Sequence, residues 1–184
     1  SATNRARNIN VSADMDIDRF SYGIVMAEKD GGAATNVTIG SATDQPTIRL
    51  AYSTNNNAGG HVKSTKPTNP KVPEEVYEQG NSVYYYSLDT ASTGKSYANV
   101  TMDGDYNTAY YTKGAIDNYG TIDLRSQYDI QNQNNDSLGF GNVGIFSSNT
   151  NVASTNYGTI TTGMSDTINM RYSAAMATGR NVYN

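Results

Sequence analysis

Two groups of closely spaced acidic residues are the first candidates for chemistry in this sequence. In residues 14–18 three aspartates alternate with Met and Ile, which is the carboxylate spacing of a calcium-binding loop. An EF-hand loop also needs glycine at its sixth position and glutamate at its twelfth, where this chain has Arg19 and Val25. Because acidic and apolar residues alternate, the run favours a β-strand whose acidic side chains face water. We therefore expect no metal site here.

The second acidic group consists of Asp103 and Asp105 in a glycine-containing turn, and Asp117 and Asp123 follow them in the sequence. Paired carboxylates perform acid–base chemistry in β-helical enzymes that degrade polysaccharides. Acidic residues in surface turns are the commoner explanation of this pattern, and nothing in the sequence fixes their geometry. A polysaccharide lyase or hydrolase is therefore the alternative, and we expect a protein without catalytic residues, cofactor or metal ion.

His61 is the only histidine, and no nucleophile, zinc-protease or phosphate-loop motif accompanies it. It lies in segment 55–80, which also contains three of the four prolines. Because proline has no amide hydrogen to donate to a sheet, this segment is not expected to form core strands. Pro73, the acidic residues that follow it, and Gly80 predict one short helical turn.

The composition indicates an all-β fold with a thin hydrophobic core. Asn (22), Thr (21), Ser (17) and Gly (17) are abundant, whereas Leu and Glu occur only 4 times each. Helix-forming residues are therefore scarce, and β-branched residues and 15 tyrosines supply much of the apolar surface. A chain with so few large aliphatic residues stays ordered most readily when many similar units stack on one another.

Charge and composition exclude several classes of function. The net charge of −4 provides no basic surface for nucleic acid or anionic lipid. The absence of cysteine excludes a disulfide framework and thiolate chemistry. No apolar run is long enough to span a bilayer as a helix.

Internal repetition is the strongest signal in the chain. Residues 118–122 (Asn-Tyr-Gly-Thr-Ile) recur as residues 156–160, 38 positions later, and an apolar or aromatic cluster precedes each copy. Looser units place a similar cluster before an Asn-Val-Thr run, and these runs begin at Asn36 and Asn99. We expect residues 36–39 and 99–102 to occupy the same place in the repeated unit.

Each unit has the character of one coil of a parallel β-helix, with two or three short strands joined by turns. In Val37-Thr38-Ile39 the outer residues point inward at the two-residue period of a strand. Asn and Gly suit the corners because they tolerate a left-handed backbone. Equivalent residues then stack about 4.8 Å apart, which predicts Ile and Val ladders inside and Asn or Tyr ladders at the turns. Because parallel crossovers are overwhelmingly right-handed, residues 1–184 are predicted to form one right-handed parallel β-helix, a β-solenoid.

Two parts of this rod are candidates for contact with a partner. Segment 55–80 is predicted to protrude as a loop insertion between two coils, where repeat proteins often place binding surfaces, although a solvated loop without a partner is the alternative. The tyrosines of 84–86 and 110–111 form the second candidate, because alternation places one ring of each cluster outside. Such rings suit a sugar or a protein partner, and a ladder that only stiffens the rod is the alternative. The candidate partner-binding residues are His61, Lys63, Lys66, Tyr77, Tyr85 and Tyr110.

The repeats resemble those of a known family. Residues 118–122, their copy at 156–160, the Gly-Ile-Phe run at 144–146 and residues 173–176 resemble the passenger domains of large fusobacterial autotransporter adhesins. Those type V secreted proteins alternate Asn-x-Gly-Thr-Ile units with short Gly-Ile-aromatic units. The clear match covers roughly residues 82–184, and segment 55–80 departs from the pattern.

The resemblance implies a non-catalytic segment of a longer passenger domain, outside the cell and anchored to the outer membrane by a C-terminal barrel beyond this segment. It implies adhesion to host cells or coaggregation with other bacteria, as in virulence, through a protein receptor or a glycan of the galactose type. The repeats are scaffold, so no binding residue is transferred from the family. The enzyme described above and a self-associating extracellular filament subunit are the alternative functions.

Overall fold

A computed structural model of the chain describes residues 8–18, 21–26, 35–50, 64–65, 75–76, 82–102, 106–126, 141–149, 152–162 and 173–178. These residues form seventeen β-strands and no helix. The described part accordingly contains no helical segment that is long and apolar enough to cross a membrane.

Fifteen of the strands form three parallel sheets of five strands each. Sheet A contains β1 (Asn8–Val11), β4 (Asn36–Ile39), β9 (Thr93–Ser96), β12 (Ala115–Asn118) and β15 (Thr155–Asn156). Sheet B contains β2 (Met15–Ile17), β5 (Thr47–Leu50), β10 (Asn99–Met102), β13 (Thr121–Ser126) and β16 (Thr159–Thr161). Sheet C contains β3 (Tyr22–Met26), β8 (Val83–Ser87), β11 (Thr108–Thr112), β14 (Val143–Ser147) and β17 (Ala174–Thr178). The remaining two strands are β6 (Ser64–Thr65) and β7 (Glu75–Val76).

The chain passes through the three sheets in the order A, B, C five times in all, and β6 and β7 interrupt this order once. Each passage makes one coil, and the strands of neighbouring coils pair parallel in all three sheets. This topology confirms the predicted all-β parallel β-helix. The right-handed sense of the winding stays a prediction from the chirality of parallel crossovers.

Alternation within the strands builds the hydrophobic core. In β5 the buried side chains of Ile48 and Leu50 flank the exposed Arg49. Ile48 lies in register with Val100 of the next coil, and Val100 lies in register with Ile122 of the coil after that. The interior therefore consists of aliphatic ladders, in which each fully buried side chain contributes about 1.5–3 kcal/mol.

Polar side chains inside the coils bond to the backbone of neighbouring coils. Asn107 and Asn142 immediately precede β11 and β14 and are buried. The side-chain oxygen of Asn142 accepts a hydrogen bond from the backbone N–H of Asn107 at 2.8 Å. The side-chain oxygen of Asn107 accepts one from the backbone N–H of Ser82 at 3.1 Å. These asparagines therefore satisfy buried backbone groups at the corner that leads into sheet C.

A two-residue corner joins sheets A and B in the last three coils, at 97–98, 119–120 and 157–158. Before this corner, Asn118 Nδ2 donates to the carbonyl of Gly120 at 3.1 Å and to Asn156 Oδ1 at 2.8 Å. Asn156 spans its own corner in the same way and donates to the carbonyl of Gly158 at 3.0 Å. The predicted Asn ladder at the turns is confirmed, and the 38-residue recurrence corresponds to equal positions in adjacent coils.

The glycines of this corner have a different role from the predicted one. Neither Gly120 nor Gly158 has the positive φ that a left-handed backbone requires. A Cβ atom on Gly120 would instead collide with the carbonyl oxygen of Ala98, and one on Gly158 would collide with the carbonyl oxygen of Gly120. Glycine is therefore required because successive corners lie too close together for a side chain.

Two runs that look equivalent in the sequence lie in different sheets. Residues 36–39 form β4 of sheet A, whereas residues 99–102 form β10 of sheet B. The prediction that they occupy the same place in the unit is therefore wrong, because residues 99–102 are in register with 47–50. Both runs place one threonine between two buried apolar residues, so their pattern does not distinguish the sheets.

Segment 55–80 lies in the connection between β5 and β8, where the chain passes from sheet B to sheet C. Its described residues are β6 and β7, which pair antiparallel, Ser64 with Val76 and Thr65 with Glu75, outside the three large sheets. The predicted helical turn is wrong at residues 75–76, because their extended backbone pairs across this hairpin.

The substitution Gly120→Ala tests the close stacking of the corners. The new methyl group would meet the carbonyl oxygen of Ala98, which belongs to the backbone and cannot rotate away. We expect the free energy of unfolding to fall by about 3 kcal/mol, measured by urea denaturation. Gly94→Ala is the matched control, because its methyl would meet side-chain carbons of Ile116 at 3.0–3.1 Å, and we expect a loss of about 1 kcal/mol. Equal losses in the two variants would contradict this account.

Candidate functional site

Most of the polar residues predicted to act in a site lie outside the described residues. This holds for His61, Lys63, Lys66 and Tyr77 of the predicted binding set. It also holds for the paired aspartates at 103 and 105. Their predicted roles therefore stay predictions.

Tyr85 and Tyr110, the two described members of the predicted binding set, are fully buried. The Tyr110 hydroxyl lies 2.7 Å from Ser96 Oγ, and the Tyr85 hydroxyl lies 3.4 Å from Ser92 Oγ. The prediction that these two rings contact a partner is wrong. The reason is that β8 and β11 each bury two consecutive side chains before alternation resumes, so the ring that faces outward is the next one along the strand.

The outward rings form a column along sheet C. Tyr86, Tyr111 and Phe146 are in register in successive coils. The rings of Tyr86 and Tyr111 lie 4.9 Å apart between centroids at an interplanar angle of 22°. Those of Tyr111 and Phe146 lie 4.9 Å apart at 11°. Val25 and Ala177 continue this column at its two ends.

A second column on the same outer surface consists of the register partners Tyr22, Val83, Thr108, Val143 and Ala174. We call the surface that the two columns form the apolar face. The ring of Tyr22 contacts the ring of Tyr86 edge-on, with centroids 5.3 Å apart. Every member of the two columns is exposed or half-buried. The apolar face consists of Tyr22, Val25, Val83, Tyr86, Thr108, Tyr111, Val143, Phe146, Ala174 and Ala177.

The outer faces of the other two sheets are polar. On sheet B, Arg49 donates from Nη2 to Asp16 Oδ2 at 2.6 Å, and both side chains are exposed. Exposure of Asp16 between two inward residues of β2 confirms the predicted strand with its acids in water. On sheet A, Lys95 lies in register with Asp117. Sheets A and B therefore carry charged side chains on their outer faces, whereas the apolar face of sheet C carries none.

A second aromatic column follows the two-residue corner between sheets A and B, and we call it the corner column. It consists of Tyr97, Tyr119 and Tyr157, whose neighbouring ring centroids lie 4.9 and 4.7 Å apart at angles of 20° and 15°. Lys95 Nζ lies 5.3 Å from the centroid of the Tyr119 ring. The predicted Tyr ladder at the turns is thereby confirmed.

The acidic residues that the structure describes are spread over more than one sheet. No three His, Cys, Asp or Glu side chains in the described ranges are close enough to hold a metal ion. Asp117 and Asp123 belong to β12 and β13 and lie on different sheets.

Comparison of the chain with models of protein families, with curated proteins and with solved structures found no match. The apolar face and the corner column are therefore defined only by the positions and exposure of this chain's own residues.

Two buried tyrosines, Tyr84 and Tyr110, are expected to make the folded state less stable as the pH becomes alkaline. Burial raises the pKa of Tyr110, and the hydrogen bond to Ser96 opposes that rise. Burial also raises the pKa of Tyr84, and the neighbouring Tyr110 adds to it. Both phenols ionise more readily in the unfolded chain, near pH 10.0. Their contribution to stability is therefore complete below that pH and is lost as the pH rises above it.

We expect the free energy of unfolding to fall by about 1.4 kcal/mol per pH unit for each buried tyrosine once the pH exceeds the unfolded value. Urea denaturation from about pH 8 to about pH 11 measures this slope. Tyr110→Phe removes one of the two groups and should make the slope shallower above pH 10.0. An unchanged slope in this variant would show that Tyr110 does not carry the effect.

Proposed function

We propose that the chain is a non-catalytic segment of an adhesin, a β-helix rod that presents the apolar face to a protein receptor on host cells or on other bacteria. The observation that carries this proposal is exposed apolar surface on an uncharged sheet. Tyr22 and Val25 are 55% and 58% exposed, and Tyr86, Tyr111 and Phe146 are half-buried. Contiguous apolar surface of this kind typically marks an interaction site.

The stacking of the rings favours a protein partner over a glycan. A sugar binds an aromatic side chain by lying against the face of the ring, and here neighbouring rings cover the faces at 4.9 Å. Because rings stack on both faces of Tyr111, the edge of its ring is the part left to contact a partner. Ring edges and small aliphatic side chains complement the apolar surface of a protein.

The size of the face indicates a weak individual contact. Five strands of about five residues cover roughly 24 by 17 Å, or about 400 Å² per copy. This area is below that of a standard stable interface. A surface that carries many copies of such a rod compensates by avidity, because the second and later contacts form at high effective concentration.

The extracellular setting is supported by the sequence rather than by the geometry. The Asn-x-Gly-Thr-Ile repeats resemble autotransporter passenger domains. The absence of cysteine and a net charge of −4 are compatible with a rod held outside the cell at the outer membrane. The apolar face adds a place on this rod at which attachment occurs.

The double substitution Tyr111→Lys with Phe146→Lys tests the proposed contact. Two charges in the centre of the apolar face must lose their water when a partner covers them, so binding should weaken at least about tenfold. The measurement is the attachment of beads coated with the 184-residue chain to cultured epithelial cells and to intact bacteria. Thr101→Lys is the matched control, because this outward residue lies in mid-strand on sheet B.

Three results separate the alternatives. Attachment that is lost after protease treatment of the cells but retained after glycosidase treatment supports a protein receptor, and the reverse contradicts it. Deletion of segment 55–80 should leave attachment unchanged if the apolar face makes the contact. Equal loss in the control and in the double variant, or attachment by neither the unmodified chain nor its variants, would reject the proposal.

A further inference from the structure

The corner column places exposed phenol rings at a repeat fixed by the backbone. The backbone N–H of Tyr157 donates to the carbonyl of Asn118 at 2.7 Å, and the N–H of Tyr119 donates to the carbonyl of Ser96 at 2.6 Å. The N–H of Thr159, after the corner, donates to the carbonyl of Gly120 at 3.1 Å. These bonds hold the corners of adjacent coils together, so the Cα atoms that carry the rings stay one coil spacing apart while the coils remain paired.

Accessibility differs along the column. Tyr157 is 61% exposed, whereas Tyr97 and Tyr119 are half-buried. Among the described tyrosines, the rings of Tyr119 and Tyr157 are the closest and most nearly parallel pair, at 4.7 Å and 15°. An oxidant in solution therefore reaches Tyr157 first, and the nearest ring in the column is that of Tyr119.

We propose that the corner column is a site of oxidative modification, at which Tyr119 and Tyr157 join as a dityrosine within one chain. The proposed oxidant class is a haem peroxidase with hydrogen peroxide. Each phenol loses one electron and the proton of its hydroxyl group, which gives two neighbouring phenoxyl radicals. The new bond forms between the ring carbons next to the two oxygens.

The reaction balances without any further reactant. After the carbon–carbon bond forms, one hydrogen on each linked carbon moves to the phenolic oxygen and restores both aromatic rings. The two hydrogen atoms removed at the start reduce one hydrogen peroxide to two water molecules. The product is the chain less two hydrogen atoms, with its fourth and fifth coils joined by a covalent bond at the corner.

The geometry predicts selectivity for this pair among the ten tyrosines that the structure describes. Tyr22 is nearly as exposed, but its ring contacts Tyr86 edge-on at 61°, without the facing arrangement of the corner column. Tyr86 and Tyr111 do face each other at 4.9 Å, but both are half-buried on the outer face of sheet C.

A covalent link between Tyr119 and Tyr157 should also raise the resistance of the chain to urea, because it closes a loop in the unfolded chain.

The experiment oxidises the 184-residue chain with a haem peroxidase and hydrogen peroxide at low protein concentration, where links between molecules are disfavoured. Trypsin then cuts after Lys113, Arg125 and Arg171. Peptide 114–125 contains Tyr119 as its only tyrosine, and peptide 126–171 contains Tyr128 and Tyr157, so a species that joins the two peptides reports a link from Tyr119 to one of these two residues. We expect this species as the main cross-linked product, and its fragment ions should place the bond on Tyr157.

Two variants keep the column stacked while removing the reactive hydroxyl group. Tyr119→Phe and Tyr157→Phe should each abolish the joined species, whereas the control Tyr22→Phe should leave its yield unchanged. Unfolding in urea before oxidation should reduce the yield at least tenfold, because the rings are then no longer held together. The proposal is overturned if cross-links form only between molecules, if Tyr119 is absent from the linked peptides, or if urea leaves the yield unchanged.

Discussion

Backbone hydrogen bonds between successive coils are the constraint on which the rest of this structure depends. Parallel pairing in register places each residue beside its equivalent in the next coil, about 4.8 Å away. A side chain at a given position therefore always meets the same kind of neighbour. Ile48, Val100 and Ile122 form a buried ladder for this reason, and the same rule lets a chain with only 4 leucines retain a continuous core.

The same constraint explains why polar residues are tolerated inside and why glycine is needed at one corner. A buried asparagine such as Asn118 finds an equivalent partner, Asn156, in the next coil and closes its own turn as well. The repeat distance also brings the corner backbones together, so that Gly120 has no space for a methyl group beneath the carbonyl of Ala98. On the outside it produces stacked aromatic columns, whose edges are the surfaces proposed above for a partner and for an oxidant.

The sequence predicted the class of fold because two periodicities were visible in it. Two-residue alternation marked strands such as β5, and the 38-residue recurrence of 118–122 marked the stacking of coils. It did not predict which sheet a strand joins, because residues 36–39 and 99–102 carry the same alternation in different sheets. That assignment depends on connection lengths, which vary from two residues at 119–120 to more than thirty between β5 and β8.

The candidate site was only partly predictable for a related reason. The sequence indicated that tyrosines in sheet C would divide between the inside and the outside, but simple alternation assigned Tyr85 and Tyr110 to the wrong side. Two consecutive buried residues in β8 and β11 shift the outward position to Tyr86 and Tyr111. A signal for the outward position was present in the sequence. The third residue is aromatic both in cluster 84–86 (Tyr86) and in cluster 144–146 (Phe146).

The most direct test of in-register stacking uses the absence of cysteine from the chain. Thr121 and Thr159 are exposed register partners in β13 and β16, so cysteines at both positions lie within disulfide distance. Thr161 lies two residues further along β16, and a cysteine there is more than about 7 Å from position 121. We expect mild oxidation to form an intramolecular disulfide in the Thr121→Cys, Thr159→Cys variant and not in the Thr121→Cys, Thr161→Cys variant. Equal disulfide formation in both variants, or formation only in the second, would contradict the stacked-coil structure.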